Sequence, residues 1–235
     1  IKSLANDITK RDNIIILGGA EIIENPQNIE IIGLLFDLLH LTGKHNDSNS
    51  GINLLWDNCN SQGALDCGVL PDKLPGYVSV SEKPGMNFNQ MLAAILQGKV
   101  KGMYIAGVDP LIEYPDRNYA KNSIGKLNFL VVQVIFLTET AKLADVVLPG
   151  VSFAEKEGTF TNVERRIQRL KKAFDPLAGS KADWQIFCML VKAMGQEFNY
   201  TSPRQIFEEL VMISPIYAKM NWESLDETGM RWEAE

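Results

Sequence analysis

Polar and acidic residues gather in this sequence just beyond three short apolar runs. The run at 13–17 ends in Gly18-Gly19-Ala20-Glu21, and the run at 103–106 ends in Gly107-Val108-Asp109-Pro110. A third run, 129–133, closes on Gln133 and is soon followed by Thr138-Glu139-Thr140. If the runs are strands, each end is a turn into a helix. Glycine there lets a ligand approach the backbone, free N–H groups at the helix start suit phosphate, and a carboxylate can accept from a guanine or ribose. The same residue types also serve as ordinary turn and cap residues, so the turns alone do not single out a nucleotide site. No G-x-G-x-x-G and no G-x-x-x-x-G-K-[ST] occurs, which argues against NAD and ATP.

Other chemistry is poorly represented. Cys59, Cys67 and Cys188 form no C-x-x-C pair, so the segment holds no iron–sulfur cluster by itself. His40 and His45 lie outside helical ligand spacing, and no metal-ligating set is expected. Glu155 and Glu157 have no nucleophile or histidine placed beside them, so no catalytic residue is assigned. The basic run 164–172 reads as a solvated, ion-paired face, and Trp184 as a core anchor.

Composition limits the remaining classes. Net charge is −6 with an isoelectric point near 5.1, which excludes a general nucleic-acid binder. No apolar run approaches the roughly 20 residues needed to span a bilayer. The first residues lack the pattern of a signal peptide, and the absence of an initial Met suggests an internal fragment. Three scattered cysteines suit a reducing, cytoplasmic setting.

The elements that must position these turns follow from periodicity. Strands are predicted at 13–17, 51–56, 103–106, 129–133 and 145–148. Helices are predicted at 28–41, 87–97 and 118–126, with a short one at 138–143. In the 28–41 helix Ile29, Ile32, Leu35, Phe36 and Leu39 share a face. Leu34, Leu38 and Leu41 widen it, so the helix is expected to be covered on more than one side. Residues 57–84, rich in Gly, Pro, Asn and Asp, read as a long ordered loop. Continuous apolar strands alternating with helices imply an α/β fold with a doubly wound, mainly parallel sheet over residues 1–150. Residues 151–235 read as a mainly helical part, with helices at 183–194 and 203–212, the latter capped by Ser202.

Two adjoining stretches carry a family resemblance. Residues 129–149 (FLVVQVIFLTETAKLADVVLP) and 152–168 (SFAEKEGTFTNVERRIQ) resemble the molybdopterin oxidoreductase family. The block 60–71 (NSQGALDCGVLP) with Pro75-Gly76-Tyr77, the block 104–111 and the block 182–185 are similar to formate dehydrogenase catalytic subunits. Gly229-Met230-Arg231-Trp232 resembles the stretch just before their C-terminal β-barrel. The large iron–sulfur subunit of NADH-quinone oxidoreductase shares these blocks, and Tyr114-Pro115-Asp116-Arg117 suits either group.

The resemblance implies a place in a larger subunit. In the family two α/β domains each hold one molybdopterin guanine dinucleotide, with molybdenum or tungsten between them. Residues 1–150 would supply part of one such domain, and 151–235 would pack toward the iron–sulfur domain. Gly107, Asp109, Gln133, Thr138 and Thr140 would lie along the nucleotide end of one cofactor; Gly18 and Gly19 are cofactor-binding candidates from the turn after the first strand. Gln62, Gly63 and Asp66 would form a nearby loop. The metal and the iron–sulfur clusters would be bound elsewhere in the parent, whose partners would be electron-transfer subunits. The parent would oxidise formate to CO2. The alternative is a cofactor-free scaffold in a subunit of the NADH-quinone oxidoreductase kind, relaying electrons from NADH to quinone. Two departures favour that alternative: Val134 replaces the acidic residue expected after Gln133, and Thr42-Gly43-Lys44-His45-Asn46 replaces the expected T-G-N-x-G. Guanine N–H donors left unpaired by Val134 would cost roughly 1–3 kcal/mol if buried.

Overall fold

The computed structural model describes residues 1–23, 27–81, 83–177 and 179–233. In chain order α1 (Lys2–Thr9) leads into β1 (Ile15–Gly18), α2 (Ala20–Ile23), α3 (Asn28–Leu41) and β2 (Gly51–Leu54). The stretch expected as a loop contains a short helix, α4 (Ser61–Asp66), and a single turn at Pro75–Tyr77. Then come α5 (Phe88–Leu96), β3 (Gly102–Ala106), α6 (Pro110–Glu113), α7 (Arg117–Ile124), β4 (Phe129–Val134) and β5 (Val146–Pro149).

The fold is α/β with parallel sheets, as the alternation of elements implies. β3, β4 and β5 form a parallel sheet in that order, pairing Ala106 with Gln133 and Gln133 with Leu148. Helix starts are set locally. Asn87 and Gln90 form a capping box at α5, Asp109 caps α6, and Asp116 caps α7 by accepting from the Tyr119 N–H at 2.9 Å. Ile105, Leu130 and Val132 on one face of this sheet pack with Leu92, Ile95 and Ile124 of the helices, all 5% exposed or less. The single sheet expected over 1–150 stands here as two pieces, because β1 and β2 pair with each other in a separate parallel sheet.

The last third is helical where expected, in α8 (Asp183–Ala193) and α9 (Pro203–Ile213). It also carries an antiparallel sheet that periodicity did not reveal: β6 (Gly158–Thr161), β7 (Arg166–Leu170) and β8 (Met230–Arg231), in that order. Charge disguised β7. Arg169 pairs with Glu157 and Asp226 and lies 4.8 Å over the Trp222 ring, so the basic run is an ion-paired strand. Beneath it Ile167, Phe207, Tyr217, Trp222 and Trp232 form a second core.

Candidate functional site

The carboxyl ends of β3, β4 and β5 open onto a cleft of about 320 Å³. Crevices beyond the strand ends are where open α/β sheets bind ligands. Two turns wall it, and one buried carboxylate holds them together. Asp109, at the end of β3, accepts from the backbone N–H groups of Leu111, Glu139 and Thr140, each at 3.2 Å, and from the Thr140 hydroxyl. The Thr140 oxygen in turn accepts from Leu111 N–H at 3.2 Å. Asp109 and Thr140 are 7% and 0% exposed, and their hydrogen-bonding capacity is spent inside the protein. They shape the cleft by fixing its two turns, and Asp109 itself lines it.

A second chain of side chains crosses the floor. Gln133 is 1% exposed; its oxygen accepts from the Tyr104 hydroxyl and its amide donates to Asp183 at 2.7 Å. Asp183 pairs with Lys156 at 2.5 Å. Burial first, then the Asp183 charge, push the Tyr104 phenol up. Asp183 and Lys156, both half-buried, come from segments that turn chemistry did not flag. Their only sequence signal was the resemblance of the blocks that contain them.

The cleft offers donors beside carboxylates: Glu113 lines it and accepts from Asp109 N–H at 2.8 Å. Gly107 adopts φ +73°, with no atom within 4 Å of where a Cβ would stand. Among the described residues, the backbone N–H groups of Val108, Ile135 and Phe136, all of which line the cleft, meet no protein acceptor. The Thr138 oxygen accepts from Ala141 N–H at 3.2 Å, leaving its hydrogen to donate, and Lys156 has further N–H bonds to give. Free backbone amides beside an ammonium suit a phosphate or another oxygen-rich anion. Val134, 8% exposed, adds an apolar wall, so no carboxylate stands at that position.

The remaining predicted residues lie elsewhere. Gly18 and Gly19 sit at the end of β1, in the separate sheet. Gln62, Gly63 and Asp66 do not line the cleft. Asp66 is fully buried and accepts from Gln62 and Tyr77 at 2.8 Å, from Trp232 Nε1 at 2.8 Å and from the Tyr217 hydroxyl at 3.2 Å. A Cβ on Gly63 would collide with Asn60, whose oxygen accepts from Thr161 N–H at 2.8 Å. This loop is therefore stitched to the second core. Burial and the Asp66 charge push the phenols of Tyr77 and Tyr217 well up. Cys67 is exposed as a residue, yet burial around its sulfur and the Asp66 charge push the thiol up to about 11.

A parallel α/β layer with a polar cleft at its carboxyl edge is the class these features define. The family model for molybdopterin oxidoreductase matches residues 2–193, and the chain belongs to that family. YrhE of Bacillus subtilis (strain 168), provisionally named a formate dehydrogenase, is 37% identical over 243 residues, covering 96% of this chain and 25% of that protein. The alpha subunit of F420-dependent formate dehydrogenase 1 of Methanococcus maripaludis is 39% identical over 213 residues, covering 83% of this chain and 32% of that protein. The chain thus spans about a quarter to a third of the length of these relatives. Acetylene hydratase from Pelobacter acetylenicus shares the fold, with a TM-score of 0.53 at 18% identity over 70% of this chain and 22% of that one. The family implies a molybdopterin cofactor, and the open donors of the cleft fit its oxygen-rich, anionic end. Among the described residues, no helix is long and apolar enough to cross a membrane, and no group of three or more His, Cys, Asp or Glu is placed to hold a metal ion.

Proposed function

We propose that this chain is the part of a formate dehydrogenase-like catalytic subunit that holds the nucleotide end of one molybdopterin guanine dinucleotide. The observation that carries this reading is the Asp109–Thr140 clasp, which fixes two turns so that their unpaired amides share one cleft. Thr138 and Lys156 would donate to the bound group, and the open flank of Gly107 would let it reach the backbone. Gln133 would act through Asp183, holding that carboxylate against Lys156. When bound, the cofactor supplies the metal, molybdenum or tungsten, at which formate gives up two electrons and a proton to become CO2. The chain's own residues contribute binding and orientation. The catalytic residues and the iron–sulfur clusters belong to the rest of the parent.

Residues 1–150 form part of the cofactor-binding α/β domain in this reading, and 151–235 pack toward the iron–sulfur domain. Partners are the remainder of the parent subunit and electron-transfer subunits, in the cytoplasm. A relative provisionally named a formate dehydrogenase, at 37% identity, and the alpha subunit of an F420-dependent formate dehydrogenase, at 39%, support the formate dehydrogenase-like reading. The test is the metal and pterin content of the full-length protein, with formate-dependent dye reduction. Molybdenum or tungsten with about two pterins per chain, the number the family resemblance implies, together with formate-driven reduction, is the expected result. Iron without molybdenum, tungsten or pterin would replace this reading with the cofactor-free NADH-quinone oxidoreductase scaffold that Val134 favours.

A further inference from the structure

Two histidines that line no part of the cleft stand side by side at the end of α3. The rings of His40 and His45 have centroids 4.4 Å apart and are inclined at 42°. Both residues are exposed, and neither ring makes a hydrogen bond among the described residues. Five residues along a continuous helix would turn them about 140° apart, so helical spacing alone does not bring them together. The way α3 ends does. Gly43 adopts φ +73°, its N–H donates to the His40 carbonyl at 2.9 Å, and the Lys44 N–H donates to the Leu39 carbonyl at 3.3 Å. This pair of bonds is a Schellman closure, in which the left-handed glycine reverses the chain. The Thr42 hydroxyl donates to the Leu39 carbonyl at 2.7 Å, and the Asp47 N–H to the Lys44 carbonyl at 3.1 Å, which fixes the backbone on both sides of His45. His45 is thereby folded back beside the last turn of the helix.

We propose that His40 and His45 form a bidentate site for a divalent transition ion of the nickel(II) and copper(II) class, with water in the remaining positions. Imidazole nitrogens bind such ions at about 2.0–2.1 Å, with the ring centroid about 1.1 Å behind the nitrogen. Two imidazoles at right angles about one ion then have centroids about 4.5 Å apart, against about 5.1 Å at the tetrahedral angle. The observed 4.4 Å matches the right angle, the one offered by tetragonal nickel(II) and copper(II) rather than by tetrahedral zinc. The helix C-terminus adds its partial negative charge beside the cation. The two rings are joined by one short capped turn, so little ordering is left to be done when the ion binds. The site lies in the segment that departs from T-G-N-x-G, and it stands whether or not the parent holds a pterin.

The test is equilibrium dialysis of the full-length protein against Ni2+, with bound nickel read by elemental analysis. The unmodified protein should take up one more Ni2+ per chain than the His40→Ala, His45→Ala double variant. Each single variant should bind this ion at least about 10-fold more weakly, because the second imidazole acts at high effective concentration. Both positions are exposed, so neither substitution should unfold the chain. Gly43→Ala keeps both rings and has open space for its Cβ, yet should also weaken binding by straining the φ that returns the chain. Cu2+ bound in place of Ni2+ should show EPR coupling to two nitrogens, and to one in each single variant. Equal nickel uptake by the unmodified protein and the double variant would overturn the site. Loss of uptake with only one of the two histidines would overturn the pairing.

Discussion

Asp66 and Trp232 lie 166 residues apart and meet through a hydrogen bond of 2.8 Å from the indole N–H to the carboxylate. Tyr217, 151 residues away, reaches the same oxygen at 3.2 Å, while Gln62 and Tyr77 share the other. One buried carboxylate thus joins the 57–84 segment to the C-terminal core. All four donors are neutral, and among the described residues no cation hydrogen-bonds to it.

Asp66→Ala should destabilise the full-length protein by about 3 kcal/mol, since several buried donors lose their acceptor together. Denaturant unfolding followed by tryptophan fluorescence checks this. A loss below about 1 kcal/mol would mean that water readily replaces the carboxylate.

Alkaline pH should weaken the same region. The Cys67 thiol ordinarily ionises near 9.0 and is pushed up to about 11 here, with the Tyr77 and Tyr217 phenols shifted in the same direction. The folded state holds these protons more tightly than the unfolded chain does. The stability that the Cys67 proton contributes is fully present below pH 9.0 and is lost as pH rises through about 11, and that of the two phenols is lost at higher pH still. Alkylation of Cys67 should accelerate up to about pH 11, and Asp66→Asn should lower that midpoint by removing the neighbouring charge. An unchanged midpoint would leave burial as the whole cause.

Asp109→Asn should cost about 1–3 kcal/mol, because the amide nitrogen cannot accept from both turns. Pterin content should fall with it, read by fluorescence of the oxidised pterin in purified full-length protein. Full retention of pterin would show that the clasp is dispensable for holding the cofactor.

Arg169→Gln should cost about 1–2 kcal/mol through its partly exposed pairs with Glu157 and Asp226 and its stacking on Trp222. Added salt should shrink the difference between variant and parent in thermal unfolding. A difference that is unchanged by salt would assign the effect to the stacking alone.

Periodicity placed β3, β4, β5, α3, α5 and α8 close to where they occur, because a parallel strand or a packed helix carries its burial pattern in consecutive residues. The sequence by itself also determined which turns follow the strands, through Gly107, Asp109 and Thr140. Only tertiary structure decided what those residues touch. Asp109 and Thr140 spend their hydrogen bonds on each other's turns, and Gln133 finds Asp183 across 50 residues of chain. The β6–β7–β8 sheet and the Asp66 hub were hidden for the same reason. Their partners are set by long-range closure, and Arg169 and Asp66, charged residues in polar stretches, become structural only once the chain returns to meet them.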